Sequence, residues 1–123
     1  EMLEACRRNR VQFMDGVMFV HSRRMERLRE IVREGSALGE IRRITSQFSF
    51  LAPAEFLVHN IRADSALEPA GCVGDLGWYS IRFALEVLAG RMPREVTGRM
   101  LGHWQRPGSE APVPAEFTGE MLY

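Results

Sequence analysis

The stretch Gly71-Cys72-Val73-Gly74-Asp75-Leu76-Gly77-Trp78-Tyr79-Ser80-Ile81-Arg82-Phe83-Ala84-Leu85-Glu86-Val87-Leu88-Ala89-Gly90 decides how this 123-residue chain is read. Its opening glycines let backbone approach a neighbour closely, and Asp75 stands where a helix would begin. The apolar run behind Asp75 predicts a helix that stops at Gly90. At helical spacing Asp75, Tyr79, Arg82 and Glu86 fall on one polar line. Leu76, Ile81, Phe83, Ala84, Leu85, Val87 and Leu88 make the remaining circumference mostly apolar, so the helix is expected to be buried on several sides. Two readings fit the polar line. In the plainer one Asp75 is an N-cap, Tyr79 a core aromatic and Arg82–Glu86 a simple surface pair. In the other, polar groups gathered at the N-terminal end of a buried helix are a place for chemistry.

Upstream, residues 1–8 read as the end of a helix with Met2, Leu3 and Cys6 on one side; Asn9, which tolerates left-handed geometry, and Arg10 suit its C-terminus. Residues 11–14 and 17–20 are apolar on both faces around Asp15-Gly16, the pattern of a buried parallel strand. Helix then buried strand is the rhythm of an α/β unit, so residues 1–20 are expected to be the tail of a preceding domain. Ser22 can cap a helix whose apolar stripe is Met25, Leu28, Ile31 and Val32, and Gly35 ends it. Arg23, Arg24, Arg27, Arg29 and Arg33 surround that stripe, but Glu26 and Glu30 among them favour a solvated, ion-paired face over a phosphate site.

Residues 41–50 predict a strand with Ile44, Phe48 and Phe50 on its packed face. Residues 55–70 show no clean period and read as a long loop, in which His59, Asn60 and Arg62 are either ligand groups or ordinary polar residues. Beyond the quoted helix, residues 95–101 and 115–123 alternate as strands around a turn-rich connection holding Pro107, Gly108, Pro112 and Pro114. The expected architecture is α+β, a mostly antiparallel sheet with helices packed on one face. Both ends of the chain fall inside elements, which reads as a piece of a longer protein.

Sixteen basic residues balance sixteen acidic ones, so no net charge draws the chain to nucleic acid or to an anionic membrane. No apolar run has the length of a membrane span. Cys6 and Cys72 make no disulfide framework and match no zinc spacing, and His21, His59 and His103 are scattered. No metal site is expected, and the thiols suit a reducing, cytoplasmic compartment. Every basic residue is arginine, so no lysine-dependent chemistry can be completed by these residues alone.

Gly74-Asp75-Leu76-Gly77-Trp78-Tyr79 resembles the D-x-G-x-H/Y motif of the glucose–fructose oxidoreductase and inositol dehydrogenase (Gfo/Idh/MocA) family. Met18-Phe19-Val20-His21, the helix after it, Gly35 and Gly39-Glu40-Ile41 resemble that family's passage into its second domain. Residues 48–50 resemble the first long strand there, and Asn60-Ile61-Arg62 resembles the arginine-containing loop that precedes the motif. The resemblance runs in consistent order over nearly the whole chain. It implies that residues 1–20 are the last helix and strand of a Rossmann domain. Residues 21–123 would then be a partial C-terminal substrate and oligomerisation domain, truncated at its end.

The resemblance further implies an oxidoreductase that passes hydride between nicotinamide and a sugar, polyol or related alcohol or carbonyl. NAD or NADP would be bound mainly upstream of residue 1, and the piece by itself would be inactive. Tyr79 would move the substrate proton, and Asp75 would hold substrate hydroxyls or orient the tyrosine. Arg62, His21 and Asn60 would line the substrate pocket, with Trp78 as an apolar wall. A homo-oligomer paired through the sheet is implied as well. The family's Gly-rich phosphate loop and E-K-P lysine are not among these residues. A phenol with a pKa near 10 needs a nearby cation to serve as a base at neutral pH, and Arg62 is this chain's candidate. An alternative of another class is a catalytically dead binding or assembly domain that uses its sheet as a protein interface.

Overall fold

The helix that follows Ser22 forms as its pattern predicts, and the fold is arranged around its packing on the quoted stretch. A computed structural model describes residues 1–123. Its elements in order are α1 (Met2–Arg8), a 3-10 turn (Met18–His21), α2 (Arg23–Glu34), α3 (Ala54–His59) and a second 3-10 turn (Ile61–Ala63). A π-helical turn (Val73–Gly77) then leads into α4 (Trp78–Val87), followed by β1 (Glu95–Trp104) and β2 (Val113–Leu122). None of the helices is long and apolar enough to cross a membrane.

Ser22 caps α2: its hydroxyl accepts from the Met25 N–H at 3.4 Å and donates to the Phe19 carbonyl at 2.7 Å. Gly35 closes the helix in the left-handed conformation, φ 68°. The apolar stripe faces inward, with Met25 buried and Leu28, Ile31 and Val32 half-buried. It meets α4 and the Met18–His21 turn. The small core lies there: Val17, Val20, Met25, Ala84 and Val87 are buried, and Ala63 and Val113 are buried as well. Burying each such side chain is worth about 1.5–3 kcal/mol for the larger ones.

Several expectations about the elements are corrected. Residues 11–17 form no strand, and Val11, Phe13 and Met14 are exposed. An all-apolar run becomes a parallel strand only when neighbouring strands take its backbone groups, and none does so here. The following residues instead close the 3-10 turn that buries Val20. Residues 41–50 likewise enter no ladder. Phe48 and Phe50, predicted on one face, dock side by side on other aromatics, Phe48 on Tyr79 and Phe50 on Phe56. Finally, residues 55–70 are not a bare loop, because α3 and the Ile61–Ala63 turn lie at its start. At the end of α1, the left-handed residue is Arg10 (φ 53°) rather than Asn9. The N–H groups of Arg10 and Val11 bond to the Arg7 and Cys6 carbonyls, the Schellman arrangement, which requires left-handed geometry at that position.

The sheet is a two-stranded antiparallel ribbon, smaller than the helix-covered sheet expected. Most of its residues are exposed on both faces, since the helices spend their apolar stripes on one another. The alternation within it is as predicted. Val96 pairs with Met121, Gly98 with Gly119 and Met100 with Phe117, so these six share one face. The Phe117 ring lies over the two glycines, and a Cβ at Gly98 would fall 2.5 Å from it. The ribbon is tied to the rest by Trp104, whose indole N–H donates to the Leu57 carbonyl at 3.1 Å. Ser65 and Ser109 add a second tie, with their hydroxyls 2.8 Å apart.

Candidate active site

Asp75 does not cap a helix. The backbone is already helical at Cys72, and residues 73–77 form a π-turn with no side-chain cap bond. The wider i→i+5 ring of that turn departs from the i, i+4 overlay that put Asp75 over Tyr79. Two glycines permit the close packing around it. Gly71, at φ 50°, rests on the Pro114 carbonyl with no room for a side chain. Gly74 is covered by the Glu68 carboxylate, 2.6 Å from where a Cβ would stand.

Asp75 meets Arg62 instead. Arg62 Nε and Asp75 Oδ1 lie 2.8 Å apart, a half-exposed ion pair. Asn60 sets Arg62 in place. Its side-chain oxygen caps the Ile61–Ala63 turn by accepting from the Arg62 N–H at 3.0 Å, and accepts from Arg62 Nη1 at 3.4 Å. Asn60, Arg62 and Asp75 therefore form one connected group. The guanidinium proposed to serve the tyrosine is bound to the aspartate.

Tyr79 belongs to a second group, built from distant parts of the chain. Its ring stacks at 6.1 Å on Phe19 and meets Phe48 edge-on at 5.1 Å. Phe83, one turn on, is 6.5 Å from Phe19. The Tyr79 hydroxyl donates to Met18 Sδ at 3.4 Å. Two aromatic neighbours fix the ring, while a thioether is a weak acceptor that a stronger one can displace. His21 closes the same 3-10 turn as Met18 and Phe19 and is exposed. Trp78 is 38% exposed at the start of α4. Neither makes a side-chain hydrogen bond.

The remaining polar residues of α4 are tied in rather than left as a surface pair. Arg82 reaches Glu86 at 3.1 Å and Asp15 at 3.8 Å, and Glu86 also holds Arg29 from α2. A hollow of about 230 Å³ beside Arg82, Glu86 and Met92 lies at the other end of α4 from the tyrosine. It is smaller than ordinary ligand pockets and takes no part in the site. The sequence pattern missed Met18, Phe19 and Phe48 as partners of Tyr79. No local signal could have found them, since all three lie in stretches whose pattern reads as strand.

Cys72 adjoins the π-turn, and its surroundings disfavour the reactive thiolate. Burial pushes its thiol above the ordinary value; a backbone hydrogen bond pulls the other way, and the Glu116 carboxylate adds to the rise. Because the thiolate is the reactive form, Cys72 is expected to alkylate slowly at about pH 8 and to speed up only at higher pH. Iodoacetamide labelling in a Cys6→Ser background checks this, and a rate at or above that of glutathione would contradict it.

The sequence model described as the GFO/IDH/MocA C-terminal domain matches residues 25–121, which take in most of α2, Phe48, the Asn60–Arg62–Asp75 group, Tyr79 and nearly all of the ribbon, while Met18, Phe19 and His21 lie before it. That family is generally one of oxidoreductases that are typically NAD(P)-dependent and act on small molecules. The chain belongs to the GFO/IDH/MocA family, as its C-terminal domain.

Proposed function

We propose that this domain supplies the substrate-binding and proton-handling side of an NAD(P)-dependent oxidoreductase acting on a sugar, polyol or related alcohol or carbonyl. The observation that carries the reading is the Tyr79 hydroxyl. Its ring is fixed by Phe19 and Phe48, yet the hydroxyl is engaged only by a thioether. Such a group can release its proton to, or take one from, an oxygen placed against it. The Arg62–Asp75 pair, steadied by Asn60, presents a donor and an acceptor together, which suits hydroxyl groups on adjacent carbons. Trp78 and His21, on the elements that carry Tyr79 and its ring partner Phe19, would border the substrate. The nicotinamide supplies or accepts the hydride when bound.

The residues present do not fit the dinucleotide itself. Its pyrophosphate needs free N–H groups at a glycine-rich helix start. The glycines at 71 and 74 instead face the Pro114 carbonyl and the Glu68 carboxylate, both of which repel an anion. In this reading residues 1–20 continue a nucleotide-binding domain that holds the cofactor, and residues 21–123 act on substrate. The exposed apolar face of Val96, Met100 and Phe117 supports association of copies through the ribbon.

The test is a rate screen of the full-length protein with NAD and NADP against sugars and polyols, and with the reduced cofactors against the matching carbonyls. The expected result is turnover with at least one pair. Silence across the panel, with a folded protein that binds the cofactor, would favour a catalytically dead assembly domain.

A further inference from the structure

Arg29 lies among the arginines that the charge pattern assigns to solvent, yet its guanidinium is turned onto α4. Nε and Nη2 both donate to Glu86 Oε2, at 2.9 and 2.7 Å, and Nη2 also donates to the Val20 carbonyl at 2.9 Å. The two side chains keep only 31% and 17% of their exposure, so solvent screens them less than the Arg27–Glu30 pair on the same helix. Arg82 approaches the other oxygen of Glu86 at 3.1 Å. A single carboxylate is thus held by two arginines.

What these bonds join matters more than their number. Val20 belongs to the Met18–His21 turn, which carries the thioether and one of the rings that touch Tyr79. Glu86 stands seven residues after Tyr79, two turns along α4 and on the same face. The guanidinium therefore spans the turn and the helix whose meeting makes the tyrosine's surroundings. We propose that Arg29 is a positioning residue for Tyr79, bolting the Met18–Phe19 turn to α4 at a fixed separation. Nη2 alone meets both acceptors while Nε adds a second bond to Glu86; a lysine ammonium, a point charge on a shorter, flexible stem, gives up that second bond and the fixed direction of the fork.

The consequence for turnover rests on the function proposed above, whereas the effect on the tyrosine's surroundings does not. The experiment therefore has two arms, both on the full-length protein. In the first, 3-fluorotyrosine is placed at position 79 and its fluorine resonance recorded. Arg29→Met, Arg29→Lys and Glu86→Gln are each expected to shift or broaden it, while Arg27→Met, which removes the exposed pair, leaves it where it was. In the second, with a substrate found in the screen, Arg29→Lys is expected to lower kcat about tenfold to a hundredfold, the usual effect of a small misplacement of a reacting group. KM should change by less than about threefold. Should Arg29→Met fail to fold, Arg29→Lys carries the same test.

An unmoved fluorine resonance in folded Arg29→Met or Arg29→Lys protein overturns the proposal, as does full turnover in Arg29→Lys when Tyr79→Phe is inactive. A moved resonance together with undiminished turnover in Tyr79→Phe leaves the clamp standing and removes the tyrosine's proton role. An unmoved resonance with an inactive Tyr79→Phe does the reverse.

Discussion

Tyr79→Phe in the full-length protein is expected to lower kcat by about two to four orders of magnitude, the usual worth of a positioned acid or base. KM should move far less, because the hydroxyl matters chiefly in the transition state. The fold should survive. The phenylalanine ring keeps the contacts with Phe19 and Phe48, and the bond surrendered is one to a thioether. Its loss is worth at most about 1 kcal/mol. Asp75→Asn is the companion variant. Since Asp75 makes no capping bond, its charge acts through Arg62, in a pair exposed enough to contribute at most about 1 kcal/mol. A melting temperature close to wild type with reduced activity is therefore expected. Steady-state kinetics and thermal melts on both variants decide the matter. Wild-type turnover in Tyr79→Phe would return the residue to a core aromatic.

The parts of this molecule that could be read from sequence are those whose cause is local. Ser22 as a cap, Gly35 as a stop and the two-residue alternation of the ribbon are set within a few residues, and all are present. The parts that could not be read depend on distant partners. Residues 11–20 and 41–50 carry strand patterns, but a pattern fixes only which side chains share a face. Whether a ladder forms depends on a neighbouring strand that the pattern does not supply. The six-residue α3 has too few turns to show a period.

The candidate site divides in the same way. Asp75, Tyr79, Arg82 and Glu86 could be picked out because they share one helical segment. The Arg82–Glu86 pair follows from the same spacing and is present, but the cations that come from elsewhere could not be picked out. Arg62 bonds Asp75 across a loop, and Arg29 reaches Glu86 over 57 positions. Met18 and Tyr79 are 61 apart, and nothing in either neighbourhood announces the other. The π-turn is a further case. Gly74 and Gly77 fit a tight helix start as well as a widened one, so the register between Asp75 and Tyr79 could only be seen in three dimensions.

Asp64→Ala is expected to be the most destabilising single change outside the core, at about 3 kcal/mol, the lower end for breaking a buried ion pair. Asp64 is 8% exposed although it is charged. Its carboxylate accepts from Arg106 and from the Ala66 N–H at 2.9 Å, so the negative charge is fully used. Arg106 comes from the connection between β1 and β2, and beside the pair Ser65 and Ser109 bond each other while Ser65 also accepts from the Ala111 N–H. Alanine at 64 leaves the half-buried Arg106 guanidinium without its partner, and that orphaned charge accounts for most of the loss. For a domain of this size the melting temperature should fall by roughly 10 °C or more. Arg106→Ala should cost about as much for the mirror reason. The double variant removes both charges and should be less damaging than the sum, with a coupling of about 1–3 kcal/mol. Ser65→Ala loses only neutral bonds, so a fall of about 1 kcal/mol is expected. The same connection holds the loop that carries Asn60 and Arg62, so Asp64→Ala should also loosen the Arg62–Asp75 pair and raise KM. Thermal and denaturant melts of the three charge variants measure the cycle. Additive effects below about 1 kcal/mol each would show a screened surface contact, and the ribbon would then owe its place to Trp104 and the two serines.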